Sequence, residues 1–127
     1  RVYDWDRPAS ENRALHIRQA LAVLEPGLAV TPIPLPAAAG RAALCACGYF
    51  RLDSLALHAS SLAIDTRRES FHLLTLVEGR ADVQAADAKV SLAPNESVRL
   101  PAAAGTYIVR AAGRARALLA CVPASAS

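Results

Sequence analysis

Three groups of residues in this 127-residue chain could do chemistry, and their spacing limits what each can do. Arg1-Val2-Tyr3-Asp4-Trp5-Asp6-Arg7 interleaves two arginines and two aspartates with the only tryptophan. Extended, Asp4 and Asp6 share one face, as a carboxylate pair for acid-base work would. Their alternation with Arg1 and Arg7 makes a salt-bridge ladder the simpler role. So dense a mixture of charge and aromatic surface belongs beside a polar site or a buried junction, and the absence of methionine anywhere adds to the expectation of a segment upstream of Arg1.

The second group is Cys45, Cys47 and Cys121, and the third is His16, His58 and His72. A structural zinc site needs four convergent ligands. Only Cys45 and Cys47 lie close, and on a strand they project side by side from one face. Buried small hydrophobes are their expected role. His16 falls on the flank of a helical stripe, and His58 follows Leu55 and Leu57 on the opposite, solvated strand face. An odd number of cysteines without a secretory leader fits a reducing compartment, so a cytoplasmic location is expected.

The elements that must position these groups follow from pattern. One domain is expected, with an aliphatic core because aromatic residues are only 5% of the chain. Residues 1–10 read as an extended lead-in, 11–40 as a helix and proline-rich connector, and 41–127 as the folded body. Ser10 is a candidate N-cap for a helix over 11–24, where Ala14, Ile17, Leu21 and Leu24 form one stripe. Pro26-Gly27 stops it, and Pro32, Pro34 and Pro36 keep the next stretch extended. Beyond residue 41, short apolar runs punctuated by turn signals predict strands at 42–52, 54–58, 70–77, 80–86, 89–92, 96–100, 106–111 and 115–121. Glu78-Gly79 and Pro94-Asn95 are the clearest turns. Arg67-Arg68-Glu69 reads as a solvated charged loop, and Tyr49, Phe50 and Tyr107 as core. The expected class is mainly β, an antiparallel sandwich or small barrel with one N-terminal helix packed outside it. The arginines are scattered without a run or aromatic interleaving, which argues against nucleic acid, and no apolar run is long enough for a membrane helix.

Three blocks, in order along the chain, resemble the C-terminal part of the short bacterial type I mannose-6-phosphate isomerases (phosphomannose isomerases), which are built from two cupin-type rolls. The first is Arg1 to Arg7 followed by Leu15-His16-Ile17. The second is Cys47-Gly48-Tyr49-Phe50. The third is Phe71 to Gly79, then Asn95 to Ala102, Gly105 and Tyr107. The resemblance implies an antiparallel jelly-roll (cupin-like) sandwich with the N-terminal helix outside it, and a zinc-dependent isomerase that interconverts mannose 6-phosphate and fructose 6-phosphate through an enediol. It places the zinc ligands upstream of Arg1, so no cofactor is expected in this chain and zinc is expected in the full-length enzyme. One catalytic position carries over, Arg1, whose guanidinium suits an enediolate or sugar oxygen.

Metal-bearing cupins place a His-x-His pair on one strand, completed by a glutamate and a later histidine. Here His72 stands alone, with Ser70 and Leu74 on its face, and the stretch from Leu100 to Val109 holds no histidine. The roll is therefore expected to be metal-free. Its expected partners are a sugar phosphate in the full-length enzyme and the upstream metal-bearing domain. By itself the segment should be inactive and should self-associate through the surface that domain covers. The alternative is a stand-alone cupin module that binds a sugar or a protein partner and does no chemistry.

Overall fold

The computed structural model describes residues 2–3, 14–29, 31–35 and 37–123. The chain divides into two compact units, Arg1–Pro32 and Ile33–Ser127. In the first, the described part holds one short helix, α1 (Ile17–Ala22), with His16 at its N-cap and no capping side chain. The helix expected over 11–24 is thus six residues long among those described, and Ser10, its expected cap, lies outside them. Ile17, Leu21 and Leu24 of the stripe are exposed. So short a helix has little intrinsic stability.

The second unit is a sandwich of two antiparallel sheets. One has the strand order β1 (Gly40–Ala46), β2 (Arg51–His58), β9 (Arg114–Cys121), β4 (His72–Glu78), β7 (Ser97–Leu100). The other runs β3 (Ser61–Asp65), β8 (Thr106–Arg110), β5 (Ala81–Ala85), β6 (Ala88–Leu92). Neighbours within each sheet are largely distant in sequence, as in a jelly roll.

Period-two patterning dictates which faces meet. His72, Leu74 and Leu76 of β4 point inward while Leu73 and Val77 stay exposed. Leu55 and Leu57 of β2 and Ala115, Ala117 and Leu119 of β9 complete that inner face. The facing sheet contributes Ile64, Val83, Tyr107 and Val109. Each buried leucine is worth about 1.5–3 kcal/mol relative to exposure, so these two inner faces hold the roll together. Glu78-Gly79 is a tight turn but not the hairpin its sequence suggests: β4 and β5 belong to different sheets, so Gly79 passes the chain from one to the other, at φ +82, a conformation that would strain a residue with a side chain.

Several expectations need correcting. The strand expected over 42–52 is split: β1 ends at Ala46, and the Cys47 N–H donates to the Phe50 carbonyl at 2.9 Å across a turn carrying Gly48 and Tyr49. That turn carries its side chains outward, so Tyr49 and Phe50 are exposed, Tyr49 to 86%, rather than filling the core. Cys45 and Cys47 are exposed as well, because the register slips between Ala43 and Cys45 and the strand then ends. Tyr107 is buried as expected. Strand β3 is an addition to the expected set. It is a five-residue edge strand that buries only Ile64, too little alternation to announce itself.

Candidate functional site

At one end of the sandwich the inner face changes from apolar to polar. Asp53 lies two residues before Leu55 and four before Leu57, so strand geometry aims its carboxylate into the same interior. It is fully buried. An isolated carboxylate there would be very costly, and two arginines remove that cost. Arg51, on the same face of β2, places Nε 2.9 Å and 3.1 Å from the two carboxylate oxygens. Arg41, brought alongside by the β1–β2 pairing, donates from Nε at 2.7 Å, and its Nη2 closes on the same oxygen. The hydrogen bond and charge of Asp53 push the Arg51 guanidinium above its ordinary value. Both guanidinium groups remain partly exposed, so Asp53 fixes their orientation while leaving donors free toward solvent.

Arg51 is directly opposite Cys121 on β9, and Cys121 is directly opposite His72 on β4. These three side chains form one transverse row across the inner face. His72 is buried and meets Tyr107 of the facing sheet, with 2.8 Å between Nδ1 and the phenol oxygen and the rings edge to face at 5.7 Å. Burial, then the nearby Arg41, hold the His72 imidazole below its ordinary value, so it is neutral near pH 7. Burial raises Tyr107 well above a free phenol. It also raises the Cys121 thiol, which favours the protonated form.

A cleft of about 430 Å³ opens over this row, in the size range of small-molecule sites. Arg41, Arg51, His72 and Cys121 form one wall, and Arg67 and Glu69 stand on the rim. The loop expected to be merely solvated is therefore part of the cleft. It is an ordered turn: Arg67 and Arg68 take φ values of +52 and +60, and the Arg67 N–H donates to Asp65 Oδ1 at 2.8 Å. Thr66 anchors it by donating from Oγ1 to the Ala102 carbonyl at 2.6 Å.

Among the described residues no three His, Cys, Asp or Glu side chains are placed to hold a metal ion. In the cleft itself the Asp53 oxygens are taken by two arginines, and His72 and Cys121 stand without a third ligand among the described residues, so this donor set does not fit the metal site that cupin folds often carry. Arg1, the one catalytic position suggested by resemblance, lies outside the described residues, as do Asp4, Asp6 and Arg7. His16 and His58 are exposed, and His58 stands at the opposite end of β2 from Arg51. Sequence reasoning misses Arg41, Arg51 and Asp53. The signal available is a carboxylate in phase with Leu55 and Leu57, with an arginine two residues before it.

Neither a family model nor a curated protein sequence matches this chain. Solved structures do. An RmlC-like cupin protein from Desulfovibrio desulfuricans superposes with a TM-score of 0.61 at 16% identity, covering 75% of this chain and 98% of its own. A cupin superfamily protein from Desulfitobacterium hafniense gives 0.59 at 16% identity, covering 72% and 83%. The Clostridium difficile EutQ protein gives 0.57 at 14% identity, covering 66% and 67%. At these identities the likeness establishes the cupin fold. No helix among the described residues is long and apolar enough to cross a membrane.

Proposed function

We propose that this cupin-fold chain binds a small, polar, oxygen-rich ligand in the Arg41–Arg51–His72 cleft and needs no metal of its own to do so. The observation that carries this is the buried Asp53 carboxylate holding two arginine side chains at the mouth of the roll. Burying a carboxylate to orient cations is a costly way to stabilise a β-sandwich, since apolar residues of similar volume do as well. It is an effective way to present preorganised donors to a ligand. The test is an NMR titration of the labelled chain with a panel of hexoses, hexose phosphates and sugar acids. Amide shifts confined to residues 41, 51, 65–72 and 121–122 support the reading, and a panel that moves none of them sinks it.

A narrower second reading is favoured by the ordered residue blocks: the roll as the C-terminal domain of a zinc-dependent mannose-6-phosphate isomerase. There the substrate is a sugar phosphate, zinc is held by an upstream domain that also covers this segment's apolar surface, and Arg1 meets the reacting sugar oxygens. Turnover of mannose 6-phosphate by a longer protein containing this segment, abolished by chelator and cut by Arg1→Ala, is the expected result. An undiminished rate in that variant removes Arg1 from the chemistry.

A further inference from the structure

Tyr107 is buried, and among the described residues the polar partner of its hydroxyl is His72 Nδ1 at 2.8 Å. This decides a tautomer. If Nδ1 carried the proton and donated to the phenol oxygen, the phenol O–H would point at nothing, and a buried unsatisfied donor costs about 1–3 kcal/mol. With the phenol donating to Nδ1, every group is satisfied, and the imidazole proton sits on Nε2. That nitrogen makes no hydrogen bond among the described residues and is not one of the sealed, unpartnered polar atoms, so it is open to the cleft that His72 lines. His72 is therefore a fixed donor in the wall that also holds Arg41 and Arg51.

Charge narrows the ligand further. Beside His72, two guanidinium groups face one carboxylate, Asp53, which leaves one formal positive charge in the wall. On the rim, Asp65 and Glu69 outweigh Arg67 and disfavour a second negative charge while offering acceptors to hydroxyl groups.

We infer that the cleft takes a hydroxylated monocarboxylate, with one carboxylate oxygen accepting from His72 Nε2–H and its charge turned toward the Arg41 and Arg51 guanidinium groups, and that Tyr107 is the positioning residue that holds His72 in the donating tautomer. This rests on the cleft being a ligand site. A neutral sugar would give the guanidinium donors no charged acceptor, although wall and rim together are neutral, and a phosphate dianion would meet the rim carboxylates. The other titratable and charged groups around the ring are Arg41, Asp53, Asp65 and Cys121.

The experiment uses the whole chain with D-gluconate as the probe, and D-glucose and inorganic phosphate as comparators. Imidazole nitrogen NMR reads the tautomer without any ligand: His72 should show a protonated Nε2 and a bare Nδ1. Gluconate should shift the cleft amides and bind at least tenfold more tightly than either comparator. Tyr107→Phe should mix the tautomers and weaken gluconate about five- to tenfold, the scale of one hydrogen bond to a charged group. His72→Gln, whose amide can donate from the Nε2 position, should stay within about twofold, whereas His72→Leu should lose about tenfold. The His72 pair also serves if Tyr107→Phe fails to fold. An Nδ1–H tautomer in the unaltered chain, or phosphate binding more tightly than gluconate, overturns the inference while the cleft still binds. If no probe in the wider panel moves the cleft amides, the binding reading itself falls, whichever tautomer is found.

Discussion

At the scale of single residues, Asp53 separates what the sequence announces from what it hides. Its phase with Leu55 and Leu57 marks it as inward-facing, yet its partner Arg41 lies twelve residues back on another strand, and only the β1–β2 register joins them. Removing the carboxylate leaves two guanidinium groups to find water at a mouth where both are partly exposed. Asp53→Ala should therefore cost about 2–3 kcal/mol, below the full cost of an orphaned buried charge. Arg51→Leu should cost only about 1 kcal/mol, since Arg41 still satisfies Asp53. Urea unfolding of the two variants checks the order, and equal losses would mean that the arginines do not share one acceptor.

His72 makes a second prediction at this scale. Its folded value lies below the ordinary 6.5, first because it is buried and then because of Arg41. In the unfolded chain it takes up a proton as pH falls through about 6.5, while the folded state resists. The unfolded state then binds more protons, so the stability due to neutral His72 is complete above that value and declines as pH falls below it. The urea midpoint of the unaltered chain should drop between about pH 7 and pH 5 more steeply than that of His72→Gln. Parallel profiles would show that His72 titrates alike in both states.

At the scale of elements, strands whose inner residues alternate cleanly are legible in the sequence. The run Phe71 to Val77, the turn at Gly79 and the two separate strands at 106–111 and 115–121 can all be read from period two and glycine, though not the passage of the chain from one sheet to the other at Gly79 and at Gly113. β3 and the break after Ala46 cannot, because an edge strand need bury only one residue and a turn with exposed aromatics looks like a continuing strand. The cleft rim is hidden for a related reason: a charged loop looks solvated until β3 and β8 carry it over the inner face. Gly79 tests the β4–β5 turn directly. Besides its φ of +82, an added Cβ would press into the Arg114 carbonyl and lie 2.9 Å from Ala115 Cα. Both are backbone atoms that cannot swing away. Gly79→Ala should cost about 2–4 kcal/mol by thermal or urea unfolding, whereas Gly113→Ala, with nothing near its Cβ, should stay within about 1 kcal/mol. Similar losses at both positions would deny the close packing of this turn on β9.

At the scale of the whole molecule, the question is whether the roll needs an ion. In a protein whose fold includes a resident metal, the ion stabilises the folded state by mass action. An ion at about a hundred times its Kd adds about 2.7 kcal/mol, which for a domain of this size moves the melting temperature by roughly 10 °C. Here the inner faces already close on leucines, valines and Tyr107. Where the polar row begins, two arginines take the Asp53 oxygens, and the open nitrogen of His72 lacks enough neighbouring ligands among the described residues to hold an ion. Zinc and a strong chelator should therefore each leave the melting temperature of this chain unchanged within about 1 °C, far inside that mass-action shift. Thiol coordination by exposed Cys45 and Cys47 is the one competing source of a zinc effect, and a Cys45→Ser variant separates it from the cleft. A large zinc-dependent rise that survives in that variant would put the ion inside the roll, against every donor assignment made for His72 and Asp53.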